Sequence, residues 1–386
     1  VIITAAGNCS DITNIISPVL KEKGGDIYYI DMSNDNFYLG GSAFAQIHKS
    51  IGKKAPTIKD YSYFKRAFNI IQKLINDKKI SSGHDIGSGG LITTLMEMCF
   101  SSLEIGMHID LDELEEQDTS KVFFSEKIGL ILQSKFDIES ILKKEKVKCI
   151  RIGSLLTKPI LKVKNHSQLL ELQISKYRKK WMKISSKMEQ FQTKENFAKI
   201  RAENVVKQPL KFKFPTGFSG IYPKKKKYTI NAAVLREKGS NSEREMACVM
   251  DMCGFKVRDV HMTDIIEGRE NLKDVNFLVA VGGFSNSDVL GSAKGWAGAF
   301  KYNSNAKKII TDFFNRSDTL SLGVCNGCQL FIELGMINPN DEKKPKMEFN
   351  NSGKFECIFS PVHIKESSSI MMKNLEGTIL GIWSAH

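Results

Sequence analysis

From Ser321 to Gly335 the sequence reads Ser-Leu-Gly-Val-Cys-Asn-Gly-Cys-Gln-Leu-Phe-Ile-Glu-Leu-Gly: a strand-like run, a cysteine with glycine two residues to either side, then a helix-like run. Gly323 and Gly327 relieve crowding where a sharp turn lifts one side chain above a sheet, the logic of a nucleophile elbow. A sulfur at a helix N-terminus is favoured as thiolate, and backbone N–H groups there can receive an oxyanion. The chemistry this predicts is attack of Cys325 on a carbonyl carbon. Two other readings fit the same residues. Cys325 and Cys328 have the spacing of a redox or zinc pair, although no second ligand pair stands at zinc spacing. A cysteine in an apolar run can also be a small buried hydrophobe.

Other glycine-rich turns extend the pattern. Gly282-Gly283-Phe284-Ser285 follows the strand-like Val279-Ala280-Val281, where an oxyanion loop would lie. In the first half, Leu39-Gly40-Gly41-Ser42-Ala43 and Gly83-His84-Asp85-Ile86-Gly87-Ser88-Gly89-Gly90-Leu91 are glycine-rich turns ahead of helix-like runs, suited to phosphate. Asp85 offers the hard oxygen that Mg²⁺ prefers.

The elements that must position these residues fall into three blocks. Residues 1–168 alternate strands (Val1 to Ala5, Asp26 to Asp31, Lys127 to Gln133) with apolar stretches at helical spacing (Ile12 to Leu20, Ser42 to Ile51, Tyr63 to Asp77, Ile138 to Lys144), predicting an α/β or α+β domain. Residues 169–228 read as an amphipathic helix and then an extended linker punctuated by Pro209, Pro215, Gly217, Gly220 and Pro223. Residues 229–386 contain strands at Ile230 to Leu235, Phe255 to Val260, Phe277 to Val281 and Ser321 to Val324, with a helix from Ser242 to Cys253. That alternation predicts a doubly wound parallel sheet with its site at the carboxyl ends of the strands.

The chain has 386 residues and a net charge of +13, and the excess is local. Lys176 to Lys227 holds 16 Lys and Arg against Glu189, Glu195 and Glu203, so the rest is neutral. No reading element for nucleic acid accompanies this tract, which is read as a solvated connector, Lys224 to Lys227 included. No apolar run approaches the ~18–20 residues of a membrane span. Eight scattered cysteines do not form a secreted disulfide framework, and a reducing cytoplasm is their natural setting.

At this point the residues match a family. Residues 229–386 resemble the class I glutamine amidotransferases through Gly323-x-Cys325-x-Gly327-x-Gln329 and the Gly-Gly loop. More specifically they resemble the glutaminase of the large single-chain phosphoribosylformylglycinamidine synthases. Val234-Leu235-Arg236-Glu237-Lys238-Gly239-Ser240-Asn241-Ser242, Asp288-Val289-Leu290-Gly291, Gly295-Trp296-Ala297 and Asn350-Asn351-Ser352-Gly353 carry this likeness. Residues 1–168 are similar to the C-terminal domain of aminoimidazole ribonucleotide synthetase, through the two glycine-rich turns and Phe124-Ser125-Glu126-Lys127-Ile128-Gly129.

The resemblance implies an α+β domain followed by a glutaminase. It makes Cys325 the nucleophile, with Gly283, Phe284, Asn326 and Gln329 in oxyanion or glutamine binding. It places nucleotide at Gly87 and magnesium at Asp85. The implied reaction is ATP- and glutamine-dependent amidination of formylglycinamide ribonucleotide in purine synthesis, in a cytoplasmic enzyme whose synthetase half lies mostly elsewhere in the same polypeptide. Nucleic acid and membrane are not expected partners. Gly87 and Ser88 stand where the family has Ser and Asp, and Ser287 where it often has Gly. The family also uses a His with a Glu two residues later. Neither His363 nor His386 has one, and Ile382 to His386 matches a stretch upstream of those partners. The expectation is therefore a fragment in which His386 is not the base. The alternative reading is a catalytically silent, nucleotide-holding scaffold.

Overall fold

The computed structural model describes residues 2, 4–9, 11–194, 196–205, 207, 210–221 and 230–386. Lys224 to Lys227, Pro209, Pro223 and parts of the expected first strand (Val1, Ile3) lie outside them. The chain divides into two compact units, Val1–Phe191 with Asn196–Gln208, and Gln192–Glu195 with Pro209–His386.

The first unit is built on β1 (Asp26–Asp31), β2 (Ser82–Asp85), β3 (Gly106–Asp110), β4 (Gly129–Ser134), β5 (Cys149–Leu156), β6 (Ile160–Asn165) and β7 (Gln168–Gln173), in the sheet order β2-β4-β1-β5-β3-β6-β7. Only β3 and β6 pair in parallel; the other neighbours are antiparallel. The helices are α1 (Ala43–Ile47), α2 (Tyr61–Asn76), α3 (Gly90–Cys99), α4 (Thr119–Phe124), α5 (Ile138–Lys144), α6 (Ile174–Gln192) and α7 (Phe197–Asn204). Alternation along β1 separates two cores. Ile27 and Tyr29 face one with Leu91, Leu95 and Met98 of α3, while Tyr28 and Ile30 face the other with Tyr63, Ala67 and Leu74 of α2. The run from Ile12 to Leu20 forms turns and no helix. Pro18 lacks the N–H a helix needs there, and Ile12 and Ile15 lie exposed. Among the expected linker residues, Ile174 at the start of α6 is buried in the first core.

The second unit has β8 (Asn231–Arg236), β9 (Ser240–Asn241), β10 (Lys256–His261), β11 (Phe277–Ala280), β12 (Gly282–Gly283) and β13 (Leu320–Gly323); four of them form the parallel sheet β10-β8-β11-β13, and the short β9 and β12 pair antiparallel with each other. Its helices are α8 (Glu243–Met252), α9 (Met262–Ile266), α10 (Lys294–Tyr302), α11 (Ser304–Phe314) and α12 (Asn326–Glu333). Ala233 and Leu235 face a core with Trp296, Phe300 and Phe331, whereas Ala232 and Val234 face Met250 and Val279 on the other side. The sheet is thus covered on both faces, as a doubly wound fold requires. An antiparallel hairpin that the periodicity did not indicate, β14 (Cys357–His363) with β15 (Ile379–Ala385), completes the unit.

Candidate active site

The elbow and the Gly-Gly loop leave the carboxyl ends of adjacent parallel strands, β13 and β11, and the Val324 N–H donates to the Ala280 carbonyl at 3.0 Å. Cys325 caps α12 with φ 52° and ψ −113°, a left-handed φ that a residue with a side chain adopts only under constraint. The flanking glycines supply that constraint. A Cβ on Gly327 would lie 2.1 Å from the Ala280 carbonyl oxygen, and one on Gly323 2.7 Å from the Gly327 carbonyl. The sequence reading of these two positions therefore has a steric cause.

Across the turn, a Cβ on Gly282 would meet Cys325 Cβ at 3.2 Å, so the Gly-Gly loop passes directly over the sulfur. Asn326, 1% exposed, locks the two together: its Oδ1 accepts from the Ser285 N–H at 3.2 Å and the Ser285 hydroxyl at 2.6 Å. Its Nδ2 donates to Gln329 Oε1 at 3.0 Å. Asn326 and Gln329 thus shape the loop through their side chains. The Asn326 backbone N–H, at the first position of α12, finds no acceptor among the described residues. The Phe284 N–H, expected as an oxyanion donor, instead donates to the Gly239 carbonyl at 3.0 Å, because the Gly239 turn closes onto the loop. Ser287 takes φ 58°, a conformation that glycine enters at lower cost.

Cys325 is half-buried, and its Sγ donates to the Ala385 carbonyl at 3.6 Å, which brings the end of β15 to the elbow. Burial, helped by the neighbouring Cys325, pushes the Cys328 thiol up, so the second cysteine of the pair is held as a thiol. No group of three or more His, Cys, Asp or Glu side chains among the described residues could hold a metal ion, and Cys325 and Cys328 form no zinc site there.

In the first unit the three glycine-rich and Phe-Ser-Glu stretches converge on one carboxylate. Glu126 Oε1 accepts from the Ala43 N–H at 2.7 Å and from the Gly89 N–H at 3.0 Å. The helix starts that the sequence suggested for phosphate are thus already served by the protein's own anion. Gly87 faces open space, with nothing within 4 Å of where a Cβ would be. Asp85, with its side chain 81% exposed, lies 3.2 Å from His84 Nδ1, and His84 Nε2 lies 3.4 Å from Glu97. One outward carboxylate fits a Mg²⁺ that arrives on phosphate and keeps its waters, and does not fit an all-protein cage. Sequence reasoning missed Ser285, Glu126 and Glu97, whose partners come from distant parts of the chain.

The family of CobB/CobQ-like glutamine amidotransferase domains matches residues 229–386, and the C-terminal domain family of AIR synthase related proteins matches residues 36–164. The chain is 36% identical to the probable phosphoribosylformylglycinamidine synthase, chloroplastic/mitochondrial, of Arabidopsis thaliana, over 100% of this chain and 28% of that protein. It is 34% identical to the probable phosphoribosylformylglycinamidine synthase of Caenorhabditis elegans, over 100% of this chain and 31% of that protein. Among solved structures, that of PurLQS from Thermotoga maritima aligns with 41% of this chain and 66% of its own at 24% identity and a TM-score of 0.33. The chain therefore spans about three tenths of the length of the curated relatives it matches. With both domain matches in this order and likeness along its whole length, the chain is similar to a segment of the phosphoribosylformylglycinamidine synthases.

Proposed function

We propose that this segment supplies the glutaminase, and part of the synthetase, for the ATP- and glutamine-dependent conversion of formylglycinamide ribonucleotide to formylglycinamidine ribonucleotide. The observation that carries the proposal is the strained Cys325 under a Gly-Gly loop that Asn326 fixes. In this reading Cys325 Sγ bonds to the side-chain amide carbon of glutamine. The oxyanion is received by the Asn326 N–H and the Gly283 N–H, the Phe284 N–H being committed to the Gly239 carbonyl. Collapse expels ammonia, which carries away a proton, and leaves a thioester for water to cleave. Ammonia then reaches the synthetase half of the same polypeptide. There ATP phosphorylates the glycinamide carbonyl oxygen, and ammonia adds to that carbon and displaces phosphate, leaving the amidine.

In the first unit, open backbone at Gly87 and the Asp85 carboxylate suit a nucleotide whose Mg²⁺ neutralises its phosphates. No helix among the described residues is long and apolar enough to cross a membrane, and the eight free cysteines support a cytoplasmic setting.

A glutamine-mimicking diazoketone tests the reading in the full-length protein. The expected result is one equivalent of label at Cys325, prevented by glutamine. A silent scaffold would leave Cys325 unlabelled or unprotected, and that result would overturn the proposal.

A further inference from the structure

We propose that a cavity of about 470 Å³ in the first unit, walled by β1, the segment after it, the turn after β3 and the turn leading into β5, binds a small organic oxyanion with an apolar or aromatic body. The site shares no residue with the elbow or with Asp85 and Gly87.

Its floor is a buried ion pair with unequal hydrogen bonding. Lys127 Nζ lies 2.8 Å from Asp31 Oδ2, with only 7% and 4% of the two side chains exposed. Asp31 Oδ1 accepts from the Ser33 N–H, the Ser33 hydroxyl and the Asn34 N–H, at 2.9, 3.0 and 3.0 Å. Both carboxylate oxygens are therefore served. The ammonium has three donors, and only the bond to Asp31 is made among the described residues, with the Phe37 ring 4.5 Å away.

Beside it, the Tyr29 hydroxyl is buried and has no partner among the described residues. Burial and the Asp31 charge hold that phenol well above its ordinary titration range, so it keeps a proton to donate. The unused capacity at this floor includes two N–H groups of the Lys127 ammonium and the Tyr29 hydroxyl, which keeps its proton, so three donors can converge on an acceptor such as a carboxylate or a phosphate ester. At the mouth, Lys143, Lys146 and Lys148 stand against Glu113, Glu115 and Glu139, so no net sign is imposed there and selection falls to the floor. Apolar wall from Leu114, Val147 and Ile150 accommodates the body, and the volume is within the ~300–1,000 Å³ of small-molecule sites.

Titration of the full-length protein with benzoate, phenyl phosphate and inorganic phosphate tests this by calorimetry or ligand-observed NMR. The expected result is saturable binding of benzoate or phenyl phosphate, stronger than that of inorganic phosphate. Tyr29→Phe is expected to weaken it about tenfold while leaving the ligand-free melting temperature unchanged or higher, since a partnerless hydroxyl is removed. Lys127→Met should weaken it at least as much. Because that change strands Asp31, Tyr29→Phe carries the decision. If neither aromatic probe saturates, or if Tyr29→Phe binds both as tightly as the parent, the site is refuted.

Discussion

Asn326 and Ser285, 41 positions apart, share one carboxamide oxygen: Asn326 Oδ1 receives both the amide and the hydroxyl of Ser285, and each residue is only 1% exposed. This pair couples the start of α12 to the loop after β11. Asn326→Ala should therefore leave two buried donors without an acceptor and destabilise the second unit by about 2–3 kcal/mol, against about 1 kcal/mol for Ser285→Ala. Urea midpoints give the comparison, and the labelling rate at Cys325 should fall with Asn326→Ala. Equal, small losses for the two variants would contradict the shared-acceptor arrangement.

The backbone at Cys325 supports a second prediction. Strain of the kind seen at φ 52° amounts to about 1–3 kcal/mol, and glycine escapes it. Cys325→Gly should be more stable than Cys325→Ala by about 1 kcal/mol after the chain entropy of glycine is counted, and both should lose the label. Thermal unfolding of the pair decides. A glycine variant less stable than the alanine variant would show that no strain is held there.

Glu126 serves two backbone N–H groups at helix starts, at Ala43 and Gly89. Glu126→Ala is expected to cost about 2 kcal/mol, whereas Glu126→Gln keeps an acceptor and should cost about half as much. Hydrogen exchange at the Ala43 and Gly89 amides reads the same event locally and should accelerate most in the alanine variant.

Alkali should destabilise the first unit. Burial pushes the Cys99 thiol from 9.0 to about 12, and it pushes the Tyr28 and Tyr63 phenols from 10.0 to about 12. All three are raised in the folded state, so their neutral forms give a contribution that is whole below about pH 9. It declines as the unfolded chain ionises and is gone as pH passes about 12. Urea midpoints measured from pH 8 to pH 11 should fall, and Cys99→Ala should flatten the part that begins near pH 9. An unchanged slope in that variant would remove Cys99 as a cause.

Much of the elbow was legible because its determinants are local. Gly323, Cys325 and Gly327 lie within five residues, and their spacing alone encodes a strand, a strained turn and a helix. The strands β1, β8, β11 and β13 were equally readable, being short, largely apolar runs bounded by turn residues. The Ser285–Asn326 bond and the Glu126 bridge were not, since hydrogen bonds across 37 to 83 positions leave no periodicity to read. The Phe284 amide misled for a related reason. Its position after a Gly-Gly turn suggested a donor free for substrate, and only the path of Gly239 shows that a carbonyl already takes it. Ile12 to Leu20 had helical spacing, yet Pro18 and the lack of a surface to bury most of it left turns.

The Ala280 carbonyl pressed against Gly327 has a mechanical meaning. With α12 seated hard on the strand beneath it, the sulfur has an anvil behind it and no room to recoil. In the proposed reaction an acyl group on this sulfur grows outward, toward the Gly-Gly loop and the end of β15, so in that reading those two edges, and not the sheet, set the size of the amide that Cys325 opens.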